Sequence, residues 1–365
     1  MRFLIFLLVT HLAAWSFQAK ADDLDFLSFG GEGELYLPIP FENATTDGDR
    51  LRLRSAEFTV QSDFDDRSPA LNGKLTLGAE DSTGDLIFNI REGFLSAELL
   101  KGLSLRAGKF YLPVGLLNQT RRSAWPFLSA PRALSLFFTE NGVVDTGADL
   151  AYVTSHFAIR AGATNGFRYD SSVQNGGTKP KTPTHFVRPE LSFNVGASVL
   201  TLAANYLGRV DDAGDVLHIA GLDGSISALE ETPDSWDAQF EFYHRYQNPL
   251  SQNLPIVEDV GGYLFAEKGL GRSSLAGLRF DLYKIPSLTD TSGANRKNLT
   301  WALSPVFTYR GRDHLRFQAE YTYLKETRDG DSARVEQVFE IRLVTEFGEI
   351  PKFRTPGLKL DRSSL

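Results

Sequence analysis

The chain has 365 residues, of which 42% are hydrophobic, 38 are basic and 46 are acidic, and it contains no cysteine. A net charge of −8 argues against a nucleic-acid partner, because nucleic-acid binding requires a basic surface. Disulfide bonds cannot contribute to stability, which therefore has to come from pairing and packing alone.

Residues 1–21 are predicted to be a secretory signal peptide. Arg2 precedes an apolar run, and Ala19-Lys20-Ala21 forms a small-x-small cleavage pattern. The run lacks the polar positions at helical spacing that a buried amphipathic helix would show. We therefore expect an exported protein whose mature chain, without Arg2 and Lys20, is more acidic still.

Beyond the signal peptide, short segments alternate apolar and polar residues, as strands do. No segment has the apolar run of about 18 residues that a membrane-spanning helix needs. We predict sixteen strands, at residues 26–37, 51–64, 71–80, 85–99, 103–114, 146–153, 156–167, 189–196, 199–208, 215–226, 236–247, 261–268, 273–285, 298–310, 314–324 and 334–347. The pattern is weakest in the glycine-rich first segment and at 215–226 and 261–268, so 14 to 18 strands remain open.

Short turns and longer polar connections separate these strands in alternation. The short turns lie at 101–102, 154–155, 196–198, 269–272 and 310–313, and the longer connections at 115–145, 168–188, 209–214, 248–260 and 286–297. Outer-membrane barrels show this rhythm, with short periplasmic turns and long extracellular loops. Aromatic residues near predicted strand ends, such as Phe110, Tyr206 and Tyr309, fit the girdles at the membrane interfaces.

These patterns predict an all-β fold, a transmembrane antiparallel up-and-down β-barrel. The barrel would occupy residues 22–347, lie in the bacterial cell outer membrane in contact with its lipid, and be followed by a C-terminal extension at 348–365. In HLRFQAEYTYL, residues 314–324, the face of Leu315 and Phe317 would contact lipid and the face of Gln318 would contact water. A soluble exported β-sandwich that binds sugars would show the same alternation and remains an alternative.

Charged residues opposite the apolar faces predict a wet interior, because rings of charge tune which solutes pass a channel. The predicted pore-lining residues are Arg106, Arg160, Arg279, Arg316, Glu320 and Arg342, and further charges on the same side are Arg52, Arg54, Glu241, Asp281 and Glu340. Since both signs occur, these charges could instead pair and merely solvate the wall.

The connection at about 115–145 is too apolar for a loop in water, with Trp125, Phe127 and Phe137 among its residues. A loop of this length is unusual unless it is functional. Folded into the barrel, it would direct Arg121, Arg122 and Arg132 at the solute path, and these three are the predicted pore constriction. The alternative is a surface loop that packs on its neighbours or on a second subunit.

No pattern for an enzyme is found. The histidines His156, His185, His218, His244 and His314 lie on separate segments, and the sequence has no HExxH, no Gly-rich phosphate loop and no G-x-S-x-G. We therefore expect no catalytic residue, no metal and no cofactor.

Four segments, LRAGKFYLPVGLLNQ, WPFLSAPRALSLFF, VVDTGADLAYV and TNG, resemble the corresponding region of the phosphate-selective porin O and P family. The resemblance is strongest from Leu95 to Phe167 and implies a sixteen-stranded outer-membrane barrel, usually trimeric, that admits small solutes by diffusion, often anions. Phosphate selectivity is not implied, because the chain is acidic and its wall charges are mixed. The residues after Phe347 also depart from a family that ends near an aromatic residue.

The sequence therefore predicts a porin for passive diffusion of small hydrophilic or ionic solutes through a water-filled barrel, assembled as a homotrimer. The rival interpretation is a non-conducting outer-membrane barrel that acts as a surface receptor or binding module.

Overall fold

A computed structural model describes residues 27–41, 51–64, 71–82, 85–138, 142–166, 182–210, 214, 216–228, 235–248, 256–289, 295–311, 314–328 and 333–348. Sixteen strands form one closed sheet in which each strand pairs with its sequence neighbours and β1 pairs with β16. Every pair is antiparallel, so the predicted up-and-down barrel of sixteen strands is confirmed. The predicted signal peptide lies outside the described residues, and so does the predicted C-terminal extension except for Gly348, which is the last residue of β16.

The strands are β1 (Leu27–Pro40), β2 (Arg52–Phe64), β3 (Leu71–Ser82), β4 (Asp85–Leu100), β5 (Leu103–Tyr111), β6 (Val144–Val153), β7 (Phe157–Thr164), β8 (Thr184–Val195), β9 (Ser198–Val210), β10 (Val216–Ala228), β11 (Trp236–Asn248), β12 (Val257–Gly269), β13 (Ser274–Thr289), β14 (Asn295–Arg310), β15 (Leu315–Arg328) and β16 (Arg334–Gly348). Between β5 and β6 lie two 3₁₀ turns, Leu117–Gln119 and Arg122–Ala124, and one short helix, α1 (Arg132–Phe138). No helix in the described ranges is long and apolar enough to cross a membrane.

The glycines that weakened the prediction of the first strand are needed where β1 closes the barrel. Gly31 lies opposite Phe347 of β16 and Phe58 of β2. A Cβ atom at Gly31 would overlap the ring of Phe347 and approach the carbonyl oxygen of Glu57 to 2.6 Å. The absence of a side chain at Gly31 therefore lets the terminal aromatic of β16 cross the seam.

The two faces of the wall differ as the alternation predicts. In β14, Leu299, Leu303 and Phe307 are 40%, 40% and 41% exposed, whereas the intervening Thr300 and Ser304 are buried on the inner face. In β15, Gln318 and Glu320 are likewise buried. An apolar outer surface and a polar inner surface are what a barrel in a bilayer requires.

Many strand boundaries differ from the prediction by one to five residues, and two of these shifts bear on the interior. β5 ends at Tyr111 rather than near residue 114, because the chain turns away from the wall at Pro113, which has no amide hydrogen for a ladder. β8 begins at Thr184 rather than at 189, since residues predicted to belong to the preceding loop pair with both β7 and β9. Arg188 is among the residues added to the strand.

An arginine in the middle of the outer face is expected to destabilise the barrel in lipid. Leu264 is 48% exposed on β12, and its outward neighbours in the register are Phe240 and Phe280. Leu264→Arg should lower the free energy of unfolding in vesicles by about 2–4 kcal/mol, because the guanidinium would enter hydrocarbon. Ile256, which is 49% exposed just before β12, is the matched control. Ile256→Arg should cost only about 0–1 kcal/mol, and equal losses for the two variants would argue against a lipid-facing surface at Leu264.

Candidate functional site: the inserted loop

The chain between β5 and β6, residues 112–143, lies against the inner wall of the barrel; we call it the inserted loop. Of this segment, residues 139–141 lie outside the described residues. Val114, Phe127, Leu128 and Phe137 have no exposed surface. They contact strands far away in sequence, so the loop is held by the barrel rather than by its own secondary structure.

Arg342 of β16 anchors the middle of the loop through backbone carbonyls. Its guanidinium donates hydrogen bonds to the carbonyl oxygens of Arg122 (2.9 Å), Trp125 (2.8 Å) and Phe127 (3.1 Å). It also donates to the side-chain oxygen of Gln318 on β15 (2.9 Å from Nε) and is fully buried. One side chain thus bonds to three carbonyls of the loop, of which that of Arg122 also accepts from the Trp125 amide (3.1 Å).

A second anchor joins the loop to β13 and β15. The carboxylate of Glu320 accepts hydrogen bonds from the backbone amides of Leu128 (2.6 Å) and Ser129 (3.3 Å) and from the Ser129 hydroxyl. Arg279 pairs with Glu320 (3.1 Å) and Asp281 (3.0 Å) and donates to the carbonyl oxygen of Ser129 (2.7 Å). The charges therefore compensate one another while fixing the loop backbone.

Aromatic rings of the loop pack on β11, β12 and β13. The ring of Phe127 lies 5.5 Å from Tyr263 and 5.3 Å from Phe265, measured between centroids, in edge-on geometry. Phe138 lies 5.0 Å from Tyr243 in the same way. Aromatic pairs in this arrangement contribute beyond the burial of their area.

The loop enters the barrel through polar contacts with β9 and β11. The amide of Gly115 donates to the side-chain oxygen of Asn205 (2.9 Å), and the amide of Leu117 donates to Glu241 (2.8 Å). Glu241 also accepts from the hydroxyls of Tyr243 (2.8 Å) and Tyr263 (3.0 Å). This carboxylate therefore ties the start of the loop to the same wall that receives its aromatic rings.

Replacement of Gly115 by Ala is expected to displace the start of the inserted loop. Gly115 has φ +78°, and a Cβ atom there would overlap the carboxylate of Glu241 and the hydroxyl of Tyr243. Gly196 is the control, because its φ is also positive (+60°) but the space where a Cβ atom would lie is open. Gly196→Ala should cost about 1–2 kcal/mol from backbone strain alone, and Gly115→Ala should cost more and make the loop accessible to protease. Equal stability and equal protease resistance of the two variants would contradict the overlap.

The three arginines predicted to form the constriction make different contacts. Arg121 lies 3.6 Å from Glu32 and 3.5 Å from Glu57, on the β1 and β2 side of the barrel. Arg122 lies with its guanidinium 5.8 Å from the ring of Trp125. Arg132 is exposed at the start of α1. The three residues are thus distributed along the loop rather than gathered against one carboxylate.

The six predicted pore-lining residues fall into two groups. Arg279, Glu320 and Arg342 are covered by the inserted loop, and none of their side chains is more than 1% exposed. All three bond to the backbone of the loop. Arg106, Arg160 and Arg316 form the second group and lie elsewhere on the inner wall.

On the β5 to β8 wall, Arg106 pairs with Asp149 (3.1 Å from Nε) and stacks on the ring of Phe110. Arg160 is 7% exposed and lies opposite Arg188 of β8, and its Nη1 atom has no hydrogen-bond partner among the described residues. Arg316 lines a cavity on the side of the loop nearest the short turns.

The sequence did not single out several residues that complete these contacts. Glu34 is 1% exposed and lies 3.2 Å from Arg54 and 3.7 Å from Arg342, and Asn205 receives both the Gly115 amide and the Arg188 guanidinium (2.7 Å). Their inward position follows from alternation, but alternation gives no partner. Within the described ranges, no group of three His, Asp or Glu residues is placed to hold a metal ion.

No protein-family model matches the sequence, and no curated protein does. Solved structures of outer-membrane proteins match its fold over 88% of the chain. The outer membrane channel DcaP of Acinetobacter baumannii is 12% identical, with 96% of that chain covered and a TM-score of 0.64. OprB of Pseudomonas putida is 9% identical, with 94% covered and a TM-score of 0.58. The trimer form of OmpT of Vibrio cholerae is 14% identical, with 99% covered and a TM-score of 0.57.

At these identities the likeness establishes the fold alone, a closed barrel of the kind found in outer-membrane porins. The narrower resemblance to the phosphate-selective porin O and P family stays a prediction.

Proposed function

We propose that the chain is an outer-membrane channel through which small hydrophilic or ionic solutes diffuse passively, and that the inserted loop narrows their path. The observation that carries the proposal is the loop itself. Its backbone is bonded by Arg342 and Glu320 on one side and its rings pack on Tyr263 and Tyr243 on the other. A loop fixed in this way defines a constant cross-section, which a channel that selects by size requires.

Arg121, Arg122 and Arg132 are the proposed constriction residues, since all three lie on the loop and keep exposed or partly exposed surface. Opposite Arg121 stand Glu32 and Glu57, so a passing ion would meet charges of both signs. Arg106, Arg160 and Arg316 are the proposed wall charges of the path. We extend the proposal to a homotrimer, as in the trimer form of OmpT.

A second candidate is a non-conducting barrel that binds a ligand at the cell surface. The observation that favours it is the extent of the loop contacts, which reach β1, β2, β9, β11, β12, β13, β15 and β16. A loop that touches so many strands could close the barrel.

Single-channel conductance in a planar bilayer under a salt gradient separates the two candidates. Stepwise openings are expected, and replacement of Arg121, Arg122 and Arg132 together by Ala should shift the ion preference toward cations. The control is Arg334→Ala, which removes an exposed arginine outside the loop. A folded, heat-modifiable barrel that never conducts would favour the receptor function. An unchanged ion preference in the triple variant would show that the three arginines do not form the constriction.

A further inference from the structure

A cavity of about 450 Å³ lies beside the inserted loop, on the side nearest the short turns. Ala124 and Pro126 of the loop contribute one wall, and residues of β10 to β15 contribute the others. Its volume falls in the range of about 300–1,000 Å³ that is usual for small-molecule sites. A solute that passes the loop on this side would enter this cavity.

The cavity carries two like-charge pairs, one on β11 and β12 and the other on β14 and β15, with β13 between them. Asp237 of β11 lies directly opposite Glu267 of β12 in the register, and Arg310 of β14 lies directly opposite Arg316 of β15. All four residues line the cavity. Like charges directly opposite on neighbouring strands destabilise a sheet. A solute group of the opposite charge would relieve the repulsion within either pair, in addition to the partners that these residues already have.

The two pairs are close enough to create a field across the cavity. The carboxylate of Glu267 interacts electrostatically with Arg310, Asp237 and Arg316. One side of the cavity lining, at β11 and β12, is thus acidic, and the other side, at β14 and β15, is basic. A solute with a positive and a negative group at its two ends would be oriented by this field, whereas an uncharged solute of equal size would not.

The guanidinium of Arg316 has capacity for a further partner. Its Nε and Nη2 atoms are buried and have no hydrogen-bond partner in the described part of the chain. The same two atoms of Arg245 hold both oxygens of Asp259, at 2.9 Å and 2.5 Å. Planar bidentate pairing with a carboxylate is the interaction that a guanidinium makes best. Turned toward the cavity, Arg316 could receive a solute carboxylate in this way.

From the cavity, the acidic and basic pairs that line it and the two Arg316 atoms without a hydrogen-bond partner among the described residues, we infer that this cavity is a binding subsite for small zwitterionic solutes, of the class of α-amino acids and short peptides. The carboxylate of the solute pairs with Arg316 and Arg310, and its ammonium group pairs with Asp237 and Glu267. The inference deepens the proposed channel function, on which it rests, by naming a class of solute.

The test is binding of glycylglycine to the detergent-solubilised full-length protein, measured by saturation-transfer NMR. N-acetylglycinamide, of similar size but uncharged, is the comparison probe. Glycylglycine is expected to bind about threefold tighter or more, the factor given by one or two partly solvated ion pairs. Equal binding of the two probes would overturn the inference.

Two double variants locate the site. Arg310→Gln with Arg316→Gln removes the basic pair, and Asp237→Asn with Glu267→Gln removes the acidic pair; either should abolish the preference for glycylglycine. Arg334→Gln with Glu336→Gln, an ion pair (2.6 Å) at the start of β16 that does not line the cavity, should leave it unchanged. A preference that survives both cavity variants would overturn the assignment to this cavity. If a variant does not fold, the inference is tested by the comparison of the two probes on the unchanged chain.

Conductance separates this inference from the proposed function. Preferential binding of glycylglycine without any current would support the proposed subsite and contradict the proposed channel function. Current together with equal binding of the two probes would support the channel function and contradict the proposed subsite.

Discussion

Arg342→Met is expected to release the inserted loop from β16. The substitution removes the donor of three buried carbonyl groups, those of Arg122, Trp125 and Phe127, while keeping most of the side-chain volume. Removing one partner of a buried polar network typically costs about 3–5 kcal/mol, because groups such as the carbonyls of Trp125 and Phe127 lose the hydrogen bond that this partner donated. We expect a lower free energy of unfolding by about that amount, faster protease cleavage within residues 112–138, and a larger single-channel conductance.

Arg334→Met, on the same strand, is the matched control. Arg334 is exposed and its ion pair with Glu336 is at the surface. Its loss should change stability by no more than about 0.5 kcal/mol and leave the loop protected. If Arg342→Met behaved like Arg334→Met in both assays, the bonds from Arg342 would not be what holds the loop.

Phe127→Ala is expected to have an effect of similar size through packing rather than hydrogen bonding. Phe127 is completely buried between Tyr263, Phe265 and Trp125, with the guanidinium of Arg279 4.4 Å above its ring. Truncation of a fully buried Phe typically costs about 3–5 kcal/mol, because a cavity remains where the ring was. Urea unfolding should show this loss, and the loop should become protease-sensitive.

The comparison variant is Phe307→Ala on β14. Phe307 is 41% exposed on the outer face, so its removal leaves no enclosed cavity. We expect a smaller loss of stability and an undisturbed loop. A loss at Phe307 as large as that at Phe127 would show that the packing of the loop contributes little.

Most of the fold could be predicted from the sequence because alternate residues of a strand point to its two opposite faces. The segment 314–324 is an example, since its polar residues Gln318 and Glu320 are the ones found buried on the inner wall. Boundaries were harder to predict. At β8, Thr184 and His185 follow a glycine-rich and proline-containing stretch, and only the pairing of Thr184 with β7 and of His185 with both β7 and β9 makes them part of the strand.

The site could be predicted only in outline. The apolar residues of 115–145 indicated a loop that needs cover, but not which strand supplies it. Arg279 and Ser129 are 150 residues apart, and Arg342 and Arg122 are 220 apart. Alternation assigns an arginine to the inner wall without saying whether it meets water or a backbone carbonyl. For the same reason the sequence predicted Arg279 and Arg342 as pore-lining residues without indicating that both bond to the backbone of the loop.

The anchoring of an early loop by the last strands has a consequence for assembly of the barrel. The chain between β5 and β6 is made long before β15 and β16, yet its carbonyls and amides find their partners on those two strands. Until the final hairpin is in place and the seam between β1 and β16 closes, the middle of the loop has no permanent acceptor or donor there. Protection of residues 122–129 from hydrogen exchange should therefore appear together with seam closure. The time at which this protection appears would report when the last step of folding occurs.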